Sequence, residues 1–176
     1  MNLNIQNGWI LSVVFLVVAY LPLLFNKKGT KRLTNFSWIN KRGEFFSWLI
    51  LLLFIVMLVL PLFNQISENP LQIYVGAITT TIGVIGVLVS YYNYFTTEQG
   101  VLITKGLYRI SRNPIYVFTL LICVGISVLC TIYAMIPVLL LYIVFQHPII
   151  KEEERFCKQT YGKAYTAYRN KTRRYL

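Results

Sequence analysis

Hydrophobic and polar positions fall in long blocks along this chain. Four stretches, 9–25, 45–63, 71–95 and 115–145, are almost free of charge. A bilayer core is crossed by about 20 apolar helical residues, so the first three predict single spans, the first of them short. The fourth has 31 residues. As one straight helix it would reach about 46 Å at 1.5 Å per residue, well beyond a core of about 30 Å. It is either one strongly tilted span or two short helices folded into a hairpin. Long apolar runs without period-two alternation predict helices and not barrel strands.

The basic residues decide between the two readings. Residues 1–25 carry no Lys or Arg, and loop 26–44 carries six. Loop 64–70 has none, loop 96–114 has Lys105, Arg109 and Arg112, and residues 146–176 hold the remaining eight. Basic loops stay in the cytoplasm. A single crossing at 115–145 would strand the eight-charge tail outside, whereas a hairpin keeps all 17 basic residues inside. The pattern therefore predicts an all-α polytopic protein with five transmembrane helices, the last two a hairpin. Its N-terminus lies outside and its C-terminus in the cytoplasm.

Composition agrees. The 176 residues suit one domain, and only 13% are charged, where a soluble domain carries about a quarter. A hydrophobic content of 56% excludes disorder, and three cysteines exclude a disulfide scaffold. Cys123, Cys130 and Cys157 are too scattered for a metal site and read as free thiols. The net charge of +11 is explained by topology and by attraction to membrane lipids with anionic headgroups, each basic residue contributing about 1 kcal/mol. Nucleic acid is not an expected partner, because no patterned basic face is visible. The leader 1–8 lacks a basic region and no small-x-small cleavage site follows, so the first span reads as a retained helix.

Within the spans, Gly76, Thr80, Gly83 and Gly86 predict a close helix–helix contact. The helix ends in a tyrosine cluster suited to the membrane boundary, with Asn93 at the depth of a headgroup-level pocket. In the fourth stretch Gly125 and Pro137 bracket 126–136, and a turn near 130–133 would leave two arms of about 15 residues. Those arms are short for a crossing, so the turn is expected to be buried against other helices. Loop 26–44 reads as a polar connector without assigned function, and His147 as an interfacial structural residue.

Two polar segments flank the hairpin: 100–116 (GVLITKGLYRISRNPIY) and 151–176, which opens with Lys151, Glu152, Glu153 and Glu154. A hairpin brings its ends together, so Arg112–Tyr116 should neighbour Glu152–Glu154 at the cytoplasmic face. Pro114 suits the first turn of a helix, where its missing N–H does no harm. Of three consecutive helical glutamates, pointing about 100° apart, one or two can face a pocket, with Glu152 the solvated member. The result is a headgroup-level pocket, open sideways to lipid, where a small polar cofactor meets a hydrophobic substrate.

At these residues the chain resembles the isoprenylcysteine carboxyl methyltransferase family, whose relatives include phospholipid N-methyltransferases. The matching residues are Gly106, Tyr108, Arg109, Arg112, Pro114, Tyr116, Glu153, Glu154, Phe156, Gly162, Tyr165, Tyr168 and Arg174, spread over about 90–176. The resemblance implies a single membrane methyltransferase domain, 1–176. Its residues 1–70 form two N-terminal helices and 71–176 a cofactor-binding catalytic core. It also implies S-adenosylmethionine as cofactor, a hydrophobic or lipid-like acceptor, and a bacterial inner membrane or endoplasmic reticulum location. Cofactor binding is carried to Asn93, Gly100, Val101, Leu102, Ile103, Tyr108, Asn113, Pro114, Ile115, Tyr116 and Glu153. Catalysis is carried to Glu153 and Arg174, and substrate binding to Arg112 and Arg174. The family's His before Pro is Asn113 here, which keeps a donor and an acceptor but cannot take a proton. Its prolines near the final arginine are absent. The rival readings are a sterol-type membrane reductase using NADPH and a non-catalytic protein that retains the fold.

Overall fold

The computed structural model describes residues 8–176. The leader expected to lack a signal region falls mostly outside them. Six α-helices form in chain order: α1 (Trp9–Phe25), α2 (Lys27–Leu33), α3 (Lys41–Val59), α4 (Pro70–Phe95), α5 (Pro114–Leu129) and α6 (Met135–Lys171). Short 3-10 turns follow α3 at Leu60–Phe63 and precede α5 at Gly106–Arg109. Among the described residues there is no strand, only an isolated bridge between Ser111 and Arg173.

Helix starts sit where the sequence supplies a cap. Asn26, Asn40 and Asn69 each accept a hydrogen bond from a backbone N–H of the first turn, at 2.7, 2.9 and 2.9 Å, satisfying donors that have no helical partner. Pro70 and Pro114 open α4 and α5 at positions that need no N–H. At Asn26 the chain bends by 116°, so α2 turns away from the axis of α1.

Among the described residues, three helices are long and apolar enough to cross a membrane: Lys41–Phe63 with its 3-10 end, Pro70–Phe95, and Met135–Lys171. A fourth crossing is available if α1 and α2 count as one broken span. Helix α5 is apolar but has only 16 residues. The charge-free part of α6, 135–150, is as short, about 24 Å, and beyond it the helix continues as a charged extension.

The chain doubles back at 130–134, as the sequence predicts. The turn is anchored by the Ser67 N–H donating to the Leu129 carbonyl at 2.7 Å and by the Thr131 hydroxyl donating to Gln72 at 3.1 Å. Cys130 and Ile132 are buried in it. Helix α5 packs chiefly on α4, and α6 on α3. The α4–α5 contact uses the small residues expected. A Cβ at Gly83 would lie 2.8 Å from the Ile122 backbone nitrogen, and one at Gly125 would lie 2.6 Å from that of Thr80. Phe15, Met57, Val87, Ile122 and Met135 form the centre of the core. The large exposed side chains of α3, α4 and α6, such as Trp48, Ile78 and Leu140, form an apolar exterior suited to lipid.

Candidate functional site

Where α5 begins and α6 emerges from its apolar part, the two polar segments meet. Tyr116 donates its hydroxyl to Glu153 Oε2 at 3.1 Å. Arg112 and Arg174 both hold Glu154: Arg112 through Nε and Nη2 to Oε1 (3.1 and 2.7 Å), Arg174 through Nε to Oε1 (2.9 Å) and Nη2 to Oε2 (2.8 Å). Segments on either side of the hairpin are thus joined by charge-assisted bonds. Arg112 also donates to the carbonyls of Arg169 and Thr172, at 3.1 and 2.6 Å.

Residues 172–175 return along loop 111–113 and lock it. The Arg112 N–H donates to the Arg173 carbonyl at 2.9 Å, while the Ser111 hydroxyl and the Asn113 amide both donate to the Arg174 carbonyl, at 3.2 and 3.0 Å. Asn113 stands at the N-cap of α5 without a side-chain capping bond, and its amide N–H is committed to the tail. Tyr175 pairs with His147 Nδ1 at 2.8 Å, in keeping with a structural role for that histidine. The return is possible because α6 bends at Gly162 (φ 54°, ψ −120°), a backbone state open to glycine. Beyond the bend, the Tyr168 hydroxyl donates to the Tyr108 carbonyl at 2.6 Å.

These elements enclose a cavity of about 1160 Å³. Of the residues predicted to bind cofactor, Gly100, Leu102, Ile103, Tyr108, Asn113, Pro114, Ile115, Tyr116 and Glu153 line it, as does Arg112. Three predicted residues do not. Asn93 is buried behind the wall and packs against Gly106, where a Cβ would strike its amide; its Nδ2 has no hydrogen-bond partner. Val101 faces outward, with its carbonyl taken by Arg32 at 2.7 Å. Arg174 reaches the cavity only through Glu154.

Glu153 opens onto the cavity with protein packed around it. Burial pushes its carboxyl up to about 7 and adjacent Glu154 pushes the same way, against a downward pull from the Tyr116 hydrogen bond. Glu154 goes the other way: burial alone would raise it, but the hydrogen bonds and charges of Arg174 and Arg112 hold it below the usual carboxylate range. Two adjacent carboxylates are thus pushed in opposite directions, the pattern expected where one is structural and its neighbour is free to act. Burial, with Glu153 nearby, raises the Tyr108 phenol well above its ordinary value and keeps it protonated. Cys157, a free thiol on the cavity wall, is raised by burial to about 12. Among the described residues no cluster has the composition of a metal site.

One wall of the cavity has no signal in the sequence pattern. Residues 26–38, within the stretch 26–44 expected to be a polar connector, form α2 and the loop after it, and they close the cavity on the side away from α5. Arg32 ties this wall to loop 97–101 through the carbonyls of Thr97, Glu98 and Val101 and lies 5.0 Å over the Tyr94 ring. It also reaches the Tyr161 hydroxyl at 3.5 Å. Nothing in the local pattern marks Arg32 apart from the lysines around it. Glu152, expected to be the solvated member, lies off the cavity lining and accepts from the Asn40 N–H at 3.2 Å in an exposed bond that joins the start of α3 to α6.

Compared with known proteins, residues 71–164 match the phospholipid methyltransferase family. No curated protein and no solved structure matches the chain. The matched stretch runs from α4 through the hairpin to just past the bend in α6, and so contains Tyr108, Asn113–Tyr116, Glu153 and Glu154. It covers more than half of the 176 residues, and the chain belongs to the phospholipid methyltransferase family, which is related to the isoprenylcysteine carboxyl methyltransferases.

Proposed function

We propose that this protein is an S-adenosylmethionine-dependent methyltransferase of the membrane, passing a methyl group to a hydrophobic or lipid-like acceptor. In this reading it crosses the bilayer five times, with the cavity facing the cytoplasm. Family membership carries the reaction class. The observation that best supports the site is the Tyr116–Glu153 hydrogen bond at the cavity wall, which holds an acidic group at the meeting point of the two matched segments. The orientation is supported by convergence: the basic segments 26–38, 97–112 and 153–168 all border one cavity and so share one side.

The residues present fit the cofactor, a sulfonium cation carrying a nucleoside and an amino acid. Glu153 offers a carboxylate to its positive charge, and the rings of Tyr94, Tyr108, Tyr116 and Tyr161 supply faces that attract cations. A single ligand pocket runs to about 300–1,000 Å³, so 1160 Å³ leaves room for an acceptor beside it. Glu153, Tyr108, Tyr116 and loop 100–103 would hold the cofactor, with Asn113, Pro114 and Ile115 shaping the wall. When bound, S-adenosylmethionine supplies an electrophilic methyl carbon whose leaving group is a neutral thioether.

The chain's own contribution is alignment of the acceptor and exclusion of bulk water. A carboxylate or thiolate acceptor needs no base. For an amine, Glu153 is the carboxylate suited to take a proton near neutral pH, because its pKa lies close to 7. Arg112 lines the cavity, but its guanidinium is committed to Glu154 and to the Arg169 and Thr172 carbonyls, so it acts with Arg174 as a positioning residue around Glu154.

Isothermal titration of the purified protein tests this. S-adenosylmethionine should bind the unmodified protein and fail to bind Glu153→Ala. Binding of NADPH alone would overturn the reading.

A further inference from the structure

We propose that α2 is a lid that rests on anionic lipid and transmits that contact to the cofactor-side loop 97–101 through Arg32. The inference goes beyond methyl transfer, and its test requires no cofactor.

Helix α1 is apolar throughout, and the 116° bend at Asn26 turns α2 away from its axis. If α1 runs along the membrane normal, α2 lies within about 30° of the membrane plane. Its sequence, KKGTKRL, is far too charged for the hydrocarbon, so this plane is the headgroup layer. Lys27, Lys28 and Lys31 are exposed, and among the described residues no carboxylate forms an ion pair with any of them. Beside them Phe25 and Phe36 are 82% and 59% exposed. Lysines without a carboxylate partner, flanked by exposed aromatic side chains, match the chemistry of an anionic membrane surface, with phosphate for the ammonium groups and acyl chain for the rings.

Arg32 differs from these three. It is partly buried and its guanidinium is spent on three carbonyls of 97–101. Gly29 lets α2 press against the Phe95 ring, which a Cβ there would strike. Arg32 and Gly29 therefore fasten this seven-residue helix to the loop that leads into Gly100–Ile103, while Lys27, Lys28 and Lys31 stand exposed at the rim of the cavity. Headgroups that hold these lysines also hold the loop.

Three lysines near an anionic surface favour the docked position by on the order of 100-fold over a zwitterionic one. Hydrogen exchange measured by mass spectrometry, on protein in nanodiscs of phosphatidylcholine alone or with 30% phosphatidylglycerol, reads both segments at once. Exchange in 27–36 and in 97–103 should slow about tenfold in the anionic discs. The triple variant Lys27→Ser, Lys28→Ser, Lys31→Ser should lose the difference in both segments. Arg32→Ala should keep it in 27–36 and lose it in 97–103. Equal exchange of α2 in the two lipids would overturn the lid, and protection of 97–103 that survives Arg32→Ala would overturn the coupling. Lid behaviour without S-adenosylmethionine binding would count against the proposed reaction and leave this inference standing.

Discussion

Replacing Glu154 by Gln removes the charge that two guanidinium groups share. Arg112 and Glu154 have side chains only 9% and 11% exposed, and Arg174 is 30% exposed, so water can do little to screen the two cations once the carboxylate is gone. Breaking a buried pair from one side costs about 3–5 kcal/mol. Gln keeps one acceptor oxygen, and Arg174 is partly solvated, which places the expected loss at the lower end, about 3 kcal/mol. At about 2–4 °C per kcal/mol for a chain of this size, the melting midpoint should fall by about 6–12 °C.

The charge dependence gives a second arm. The Glu154 carboxyl is depressed in the folded protein, so its contribution is present above the ordinary carboxylate pKa and is lost as pH falls through the depressed value. Scanning fluorimetry in detergent should therefore show a wide gap between Glu154→Gln and the unmodified protein at pH 7, closing as the pH is taken below the ordinary carboxylate range. A midpoint within 1 °C of the unmodified protein at pH 7, or a gap that does not change with pH, would refute the view that this clamp fastens the tail to loop 111–113.

Further outcomes follow from the same contacts. Because ionised Glu153 suits a cationic ligand and its pKa is about 7, S-adenosylmethionine affinity should rise as pH climbs through 7. It should be flat in Glu153→Gln. Tyr116→Phe, which removes the bond that favours the ionised form, should move that rise to higher pH; an unmoved titration midpoint would exclude the bond from the binding site. Asn113→His can still donate to the Arg174 carbonyl and should retain activity, whereas Asn113→Leu cannot and should lose most of it. Equal activity in all three forms would make the position irrelevant. Gly125→Val would drive side-chain atoms into the Thr80 backbone and should destabilise by about 1–3 kcal/mol or more, seen as a lower melting midpoint, while the exposed change Ile78→Val should be nearly silent.

The spans and the turn were legible because both are written in local pattern. Charge-free runs end where Asn–Lys, Asn–Pro or Asn–Pro–Ile begin the next element, and the mismatch between the 115–145 stretch and a bilayer forces a reversal. The meeting of Arg112 and Tyr116 with the glutamates follows from that reversal together with the asymmetry of the basic loops. What stayed hidden depends on contacts between residues far apart in sequence. Arg32 joins 97–101 and Tyr161 across 65 or more positions, and nothing near it hints at those partners. Asn93 sits at the expected depth but turns behind the cavity, because Gly106 at φ 55° leaves space for its amide there. Arg174 was read as facing a substrate, and the bend at Gly162 instead returns it to Glu154. The length of α6 was also missed: its charged extension continues to Lys171, since Lys, Glu, Gln and Arg after 150 favour a helix as well as they favour solvent.

The central claim is that segments 97–116 and 153–161, separated by the hairpin, build one cofactor site. Ultraviolet cross-linking of radiolabelled S-adenosylmethionine to the membrane-embedded protein, followed by peptide mapping, tests it most directly. Label should appear in peptides from both segments and be displaced by S-adenosylhomocysteine. Label confined to other parts of the chain, or displaced by NADPH and not by S-adenosylhomocysteine, would contradict the account.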